Sequence, residues 1–237
     1  YSPEGAWVLR DVTFTASPGR TIALVGHTGA GTTTVVNLLL RFYDPERGRI
    51  LVDGVDIREL STSDLRSLIG FVQQDLFLFA GDIQHNLTLD AGIPAEAAWR
   101  AARRVGADRF IERLPEGYRH RLGERGRSLS VGERQLLSFA RALALDPTIL
   151  VLDEATSSVD AEAEGQIQRA IAELMSGRTS IVVAHRLSTI LHADEILVLQ
   201  HGEIRERGSH RELLAFQGLY HRLYQLQLRG QEEQKIA

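Results

Sequence analysis

The 237-residue chain has no cysteine, which excludes a disulfide framework and any thiolate metal site. Lysine is almost missing: of 27 basic residues, only Lys235 is lysine and the other 26 are arginine. No apolar run approaches the ~20 residues needed to span a bilayer, and the start lacks the basic and apolar regions of a secretory leader. The eight histidines are scattered without i, i+4 pairing beside carboxylates, so a structural metal is not expected. A basic excess is absent as well: with a net charge of -4, nucleic acid is excluded as a principal partner. What is present is an ordinary globular balance of 43% apolar and 24% charged residues, enough for one large domain or two lobes. The chain opens at Tyr1 rather than Met and is read as part of a longer polypeptide.

Strand and helix signals alternate along most of the length, which predicts an α/β fold with a largely parallel sheet. Thr21 to Val25 is a short apolar run ending at glycine, and Thr32 to Arg41 reads as a helix. Ile50-Leu51-Val52 followed by Asp53-Gly54 predicts a hairpin, a small antiparallel element near the N-terminus. Ile69 to Val72 is a further buried-strand candidate. Between Gly81 and Ala144 the segments Ile83–Leu87, Ala95–Val105 and Val131–Ala144 read as helices with no strand between them. We read residues 81–145 as a helical lobe inserted into a core formed by residues 1–80 and 146–228. The core resumes with a strand at Ile149–Leu152, a helix at Ala161–Leu174, and strands at Ser180–Val183 and Ile196–Leu199. His201-Gly202 predicts a turn into one more strand, Leu213–Leu228 a terminal helix, and residues 229–237 a frayed polar tail.

The first chemical signal is the loop Gly26, His27, Thr28, Gly29, Ala30, Gly31, Thr32 and Thr33, with Thr34 following into the helix. It matches the phosphate-loop pattern G-x-x-x-x-G-K-[ST] everywhere except the lysine, where Thr32 stands. Glycines let backbone N–H groups cradle phosphates, and the Thr33 hydroxyl is placed for Mg²⁺. Strand, Gly-rich turn and helix is the context that reading requires. The run Ile149 to Leu152 ends in Asp153 and Glu154, a carboxylate to hold Mg²⁺ and a neighbour to take a proton from an attacking water. Alone, that pair would equally suit an acidic helix cap. Leu129-Ser130-Val131-Gly132-Glu133 opens a long helix, and Ser130 with Gly132 could receive an anion there. Ser130 and Glu133 also form the S/T-x-x-E capping box, and the two roles can coexist.

On these residues the chain resembles the nucleotide-binding domain of ABC transporters over nearly its whole length. The family signature Leu-Ser-Gly-Gly-Gln maps onto Leu129–Glu133, departing at Val131 and Glu133. Gln74 resembles the Q-loop glutamine, which in the family touches Mg²⁺ and faces the transmembrane domains. Asp160 resembles the D-loop aspartate, His185 is similar to the switch histidine on the γ-phosphate, and Tyr1 matches the aromatic that stacks on adenine. A frayed terminal aromatic is the other reading of Tyr1. Gly123-Glu124-Arg125-Gly126 and the Gly208–Leu214 stretch resemble exporter-type members.

The resemblance implies ATP and Mg²⁺ as ligands, with Glu154 as general base and Asp153, Gln74 and Thr33 around the metal. It implies a head-to-tail dimer in which Ser130, Gly132 and Glu133 serve the partner's nucleotide. A transmembrane domain elsewhere in the polypeptide would hold the domain at the cytoplasmic face of the cell membrane. Thr32 removes the cation facing the terminal phosphates, so turnover is expected to be impaired; a compensating arginine is the competing possibility. Two functions remain open: a weakened energising ATPase of an exporter, or a non-hydrolytic regulatory half of a paired transporter. Retention of Glu154 favours the first, and the altered signature suits a heterodimer.

Overall fold

The computed structural model describes residues 5–74, 76–123, 126–153, 161–184 and 187–236. In chain order the first elements are β1 (Thr21–Val25), α1 (Thr32–Leu39), β2 (Leu51–Val52), β3 (Val55–Asp56), α2 (Thr62–Ser67) and β4 (Ile69–Val72). Then come β5 (Gly81–Asp82), α3 (Ile83–Thr88), α4 (Ala95–Val105), α5 (Asp108–Ile111), β6 (Arg121–Leu122), α6 (Val131–Ala144) and β7 (Ile149–Asp153). The last are α7 (Ala161–Met175), β8 (Thr179–Val183), α8 (Leu187–Leu191), β9 (Glu195–Gln200), β10 (Glu203–Gly208), α9 (His210–Phe216) and α10 (Leu219–Ile236).

The central sheet runs in the order β10-β9-β1-β8-β7-β4. β1 pairs in parallel with both β8 and β9, with Ala23 opposite Val182 on one side and Ile196 on the other. Every residue of β1 is buried. That is why Thr21 to Val25 reads as a continuous apolar run rather than an alternating one. β10 is antiparallel to β9, with a register shift between Ile204 and Glu206. The predicted hairpin is present: Val52 faces Val55 across Asp53 (φ 50) and Gly54 (φ 84), two positive φ values that suit a two-residue turn.

The chain divides into two compact units. The first comprises Tyr1–Ile69, Val151–Ala155 and Thr179–Ala237. Its core is built on Ile22, Leu24, Val36, Val182, Leu197 and Val198, all nearly inaccessible. The second comprises Gly70–Leu150 and Thr156–Arg178, in which α4, α6 and α7 pack on one another. α4 turns its small residues Ala98, Ala101 and Ala102 inward and stops at Gly106 (φ 76). Buried Arg178 ties the end of α7 to the loop before β7, donating to the Pro147 carbonyl (2.9 Å) and the Asp146 carboxylate (2.7 Å).

Two expectations need correction. The 81–144 stretch does contain strand pairing: β5 and β6 form a two-residue antiparallel ladder, too short to leave a periodic signal. The single helix expected over Leu213–Leu228 is instead α9 and α10, broken at Gln217 (φ 55) and Gly218, and α10 runs on through the predicted polar tail to Ile236. The break is set by a distant residue. The Glu206 carboxylate on β10 accepts the N–H groups of Leu219 (2.5 Å) and Tyr220 (2.9 Å), capping α10, and a Cβ at residue 218 would collide with that carboxylate.

Candidate functional site

The phosphate-loop residues sit together on the turn from β1 to α1, and the backbone there needs glycine at three places, one of them Gly29 with its φ of +82. A Cβ on Gly26 would lie 2.7 Å from both the Ala30 Cβ and the Leu199 carbonyl oxygen. Gly31 has φ +108, and a Cβ there would meet a Leu9 methyl at 2.6 Å. Gly31 is also the N-cap of α1, with no side-chain cap and no acidic residue in the first helical turn. The positive end of the helix is therefore left for a ligand's negative charge.

Neighbouring backbone braces this turn. Ala30 N–H donates to the His27 carbonyl (2.8 Å), Gly202 N–H to Ala30 (3.0 Å), and Arg10 N–H to Gly202 (2.8 Å). Gly202, read in the sequence only as a turn residue, is thus a supporting part of the loop. Its φ of +78 and its packing against Val8 exclude a side chain. His27, Thr28, Gly29 and Thr33 are exposed, Ala30 and Gly31 are buried, and Thr32 and Thr34 are half-buried. The face left open thus carries backbone amides and threonine hydroxyls, and residue 32 offers no cation.

Asp153 ends β7 in the first unit, in the same sheet as β1, with its side chain half-buried. Tyr1, Glu154, Asp160 and His185 lie outside the described residues. Gln74 follows β4 in the second unit and is exposed.

Ser130, Gly132 and Glu133 are brought together in the second unit at the start of α6. Ser130 is the N-cap: its hydroxyl accepts the Glu133 N–H (3.2 Å), and the Glu133 carboxylate accepts the Ser130 N–H (2.8 Å). The capping box is therefore formed, and Glu133 is engaged in it. Gly132 is buried while Ser130 remains exposed. Beside them is a cavity of about 380 Å³ bordered by Arg109, Arg113 and Gln166. Among the described residues no cluster of His, Asp or Glu could hold a metal by itself. No described helix is long and apolar enough to cross a membrane.

Comparison with known proteins places this geometry in context. A family model described as ABC transporter matches residues 9–157. A probable multidrug resistance ABC transporter ATP-binding/permease protein of Bacillus subtilis is 51% identical over 230 residues, which are 97% of this chain and 34% of that protein. A fatty acid ABC transporter ATP-binding/permease protein of Mycobacterium tuberculosis is 52% identical over 222 residues, 92% of this chain and 35% of the other. An ATP-dependent lipid A-core flippase of Legionella pneumophila is 45% identical over 237 residues, 99% of this chain and 40% of the other. The solved structure of a bacterial Atm1-family ABC exporter with ATP bound superimposes with a TM-score of 0.85 at 42% identity, covering 93% of this chain and 39% of that one. The chain thus spans between a third and two fifths of the length of these relatives.

Proposed function

The chain belongs to the ABC transporter family, as an ATP-binding domain of the exporter type, and from that premise we propose that it energises export by binding and hydrolysing ATP with Mg²⁺. The observation that carries this reading is the loop from Gly26 to Thr33. Its glycines exclude side chains from a cradle of backbone amides at an uncapped helix end, the arrangement a polyphosphate needs. The Thr33 hydroxyl and Asp153 carboxylate are oxygen ligands suited to a hard cation, with Gln74 as the further ligand that the resemblance implies. Bound Mg²⁺ would neutralise charge on the β- and γ-phosphates. In this proposal Glu154 takes the proton of the attacking water, and His185 holds the γ-phosphate and orients that water. Asp160 belongs to the D-loop, and Tyr1 stacks on adenine.

Ser130 and Gly132 meet the nucleotide of a second such domain, so that two ATP molecules close a head-to-tail pair. A membrane-spanning part of the native-length polypeptide is the other partner, which puts the domain at the cytoplasmic face of the membrane. Thr32 slows turnover without removing binding, because the amide cradle persists.

One observation favours a second reading. With no lysine in the loop and with Val131 and Glu133 in the signature, this chain could be the nucleotide-holding, non-hydrolytic half of a pair. Glu154 argues against it, since a half that has given up turnover needs no general base. The test is an ATP titration of this chain with and without Mg²⁺, together with turnover of the native-length polypeptide and its Glu154→Gln variant. Saturable binding and Glu154-dependent turnover are expected. Binding without any Glu154-dependent turnover would select the second reading, and no binding at millimolar ATP would overturn both.

A further inference from the structure

The cavity of about 380 Å³ beside Ser130 is large enough for a small ligand, and its border carries unpaired charge. Arg109 lies in α5, and the chain keeps turning after it, with the Arg113 N–H donating to the Phe110 carbonyl (3.1 Å). The i, i+4 spacing puts both arginines on one side, the side that meets the cavity. Asp108 and Glu112, each next to one of them in sequence, are not on that border. Both arginines are exposed, and neither side chain has a carboxylate or hydrogen-bond partner among the described residues. Arg104 and Arg178 of the same unit, by contrast, pair with Glu173 and Asp146, each at 2.7 Å.

The rest of the border fixes the pair in place and favours an anion. Phe110, Leu136 and Ile167, all buried, bring apolar side chains to the cavity from α5, α6 and α7. Gln166 on α7 donates to the Gly106 carbonyl (3.0 Å), which ties α7 to the turn before α5. Glu133 is the single acidic residue on the border, and its carboxylate is already held by the Ser130 N–H (2.8 Å). Two guanidiniums against one carboxylate leave a positive excess, and the positive end of α6 adds to it.

An anion short of a cation is what the phosphate loop holds. Thr32 leaves the terminal phosphates without a lysine, and the one lysine of the chain is Lys235. We propose that Arg109 and Arg113 of one copy of this chain contact the phosphates of the ATP held by a second copy, supplying in trans part of the charge that Thr32 leaves unmet. Ser130 and Gly132 share the cavity with the two arginines, so a nucleotide that meets the signature meets the guanidiniums as well. A guanidinium forks onto two phosphate oxygens, which makes arginine the suitable donor for this task. The lysine-less loop is then complete only when two copies close on ATP. This rests on the ATPase reading above and deepens it, by naming the groups that sustain the turnover left to Thr32.

The test uses the native-length polypeptide in lipid vesicles, as two parents that carry Thr32 or Thr32→Lys. In the Thr32 parent, Arg109→Gln together with Arg113→Gln should lower Glu154-dependent turnover at least about tenfold, whereas lysine at both positions keeps the charge and should stay within about threefold. In the Thr32→Lys parent the same glutamine pair should cost no more than about twofold, because a cation of the loop's own copy already meets the phosphates. A merely structural role would cost the same factor in both parents, and that result would overturn the proposal, as would no loss in either. Placement in trans is read by cross-linking. This chain has no cysteine, so Arg113→Cys in one tagged copy and Thr32→Cys in another give one reactive pair, with any cysteine of the membrane-spanning part replaced by serine. A short bis-maleimide should join the two copies when ATP and Mg²⁺ are present. Failure to join them, or a link within one copy, would overturn the proposal. Parents without Glu154-dependent turnover would instead overturn the ATPase reading, and this proposal with it.

Discussion

Replacing Thr32 by lysine tests how much of phosphate recognition the backbone supplies unaided. Thr32 is the first residue of α1, directly after the Gly31 N-cap, and no acidic side chain occupies the first turn to compete for a new cation. Lysine is among the better helix formers, so the substitution should leave the fold intact. The one native lysine, Lys235, lies in the last turns of α10, more than two hundred positions along the chain. A hydrogen bond to a charged group contributes about 1.5–3 kcal/mol net, which converts to about a tenfold to 150-fold gain in affinity for MgATP. Turnover should gain at least about tenfold, because negative charge builds on the leaving β-phosphate oxygen as its bond to the γ-phosphoryl group breaks, and a fixed cation between those phosphates meets it there. The assay is a nucleotide titration of the chain beside steady-state ATPase of the native-length polypeptide, with the unfolding midpoint as a control. An unchanged rate in Thr32→Lys, with Glu154→Gln still abolishing activity, would refute the reasoning and show that another group already holds those phosphates.

Three further outcomes follow from the packing. Gly202→Ala forces a side chain into φ +78 and against the Val8 carbonyl carbon at 2.8 Å; a loss of about 2–4 kcal/mol in denaturant unfolding is expected, with weaker ATP binding because Gly202 braces Ala30. Arg178→Met strips donors from the buried carbonyls of Pro147 and Leu174 and from that of Ser176 and should cost about 2–4 kcal/mol, whereas Asp146→Asn, at an 84% exposed partner, should cost under about 1 kcal/mol in the same unfolding assay. Asp194 accepts the Thr21 N–H and then the Arg20 guanidinium, which hold its pKa below the ordinary carboxylate value. Its contribution is therefore present above that ordinary value and lost as pH falls through the lowered one. Asp194→Asn should cost about 1 kcal/mol at neutral pH and flatten the acid limb of stability against pH, measured by unfolding at a series of pH values.

Much of the architecture is legible in the residues because its hydrogen bonds close locally. The Asp53-Gly54 turn and the Ser130–Glu133 box each close within a few positions, and both form as expected. Apolar runs such as Leu150-Val151-Leu152 and Ile181-Val182-Val183 announce strands buried on both faces. The misses have a common cause. The α9–α10 break depends on the Glu206 carboxylate, on another element and 13 and 14 residues before the Leu219 and Tyr220 amides it accepts, and the periodic leucines on either side of the break read straight through. The β5–β6 ladder joins two residues with two, below the length at which alternation can appear.

The candidate site divides along the same line. The order Gly26, Gly29, Gly31, Thr33 and the pair Asp153-Glu154 determine by themselves that this is a phosphate-binding ATPase-type chain, since a glycine-rich loop between strand and helix has few other uses. Thr32 is equally plain in the sequence, and so is the missing cation. Only the tertiary structure decides that Gly202 and Arg10 hold the loop in shape, or that Arg109 and Arg113 border one cavity with the signature. Gln166 reaches Gly106 across 60 positions. Nothing in the spacing of such residues marks them, because their partners become neighbours only when the chain has folded; local hydrogen-bonded rings carry their partners with them in the sequence, and long-range ones do not.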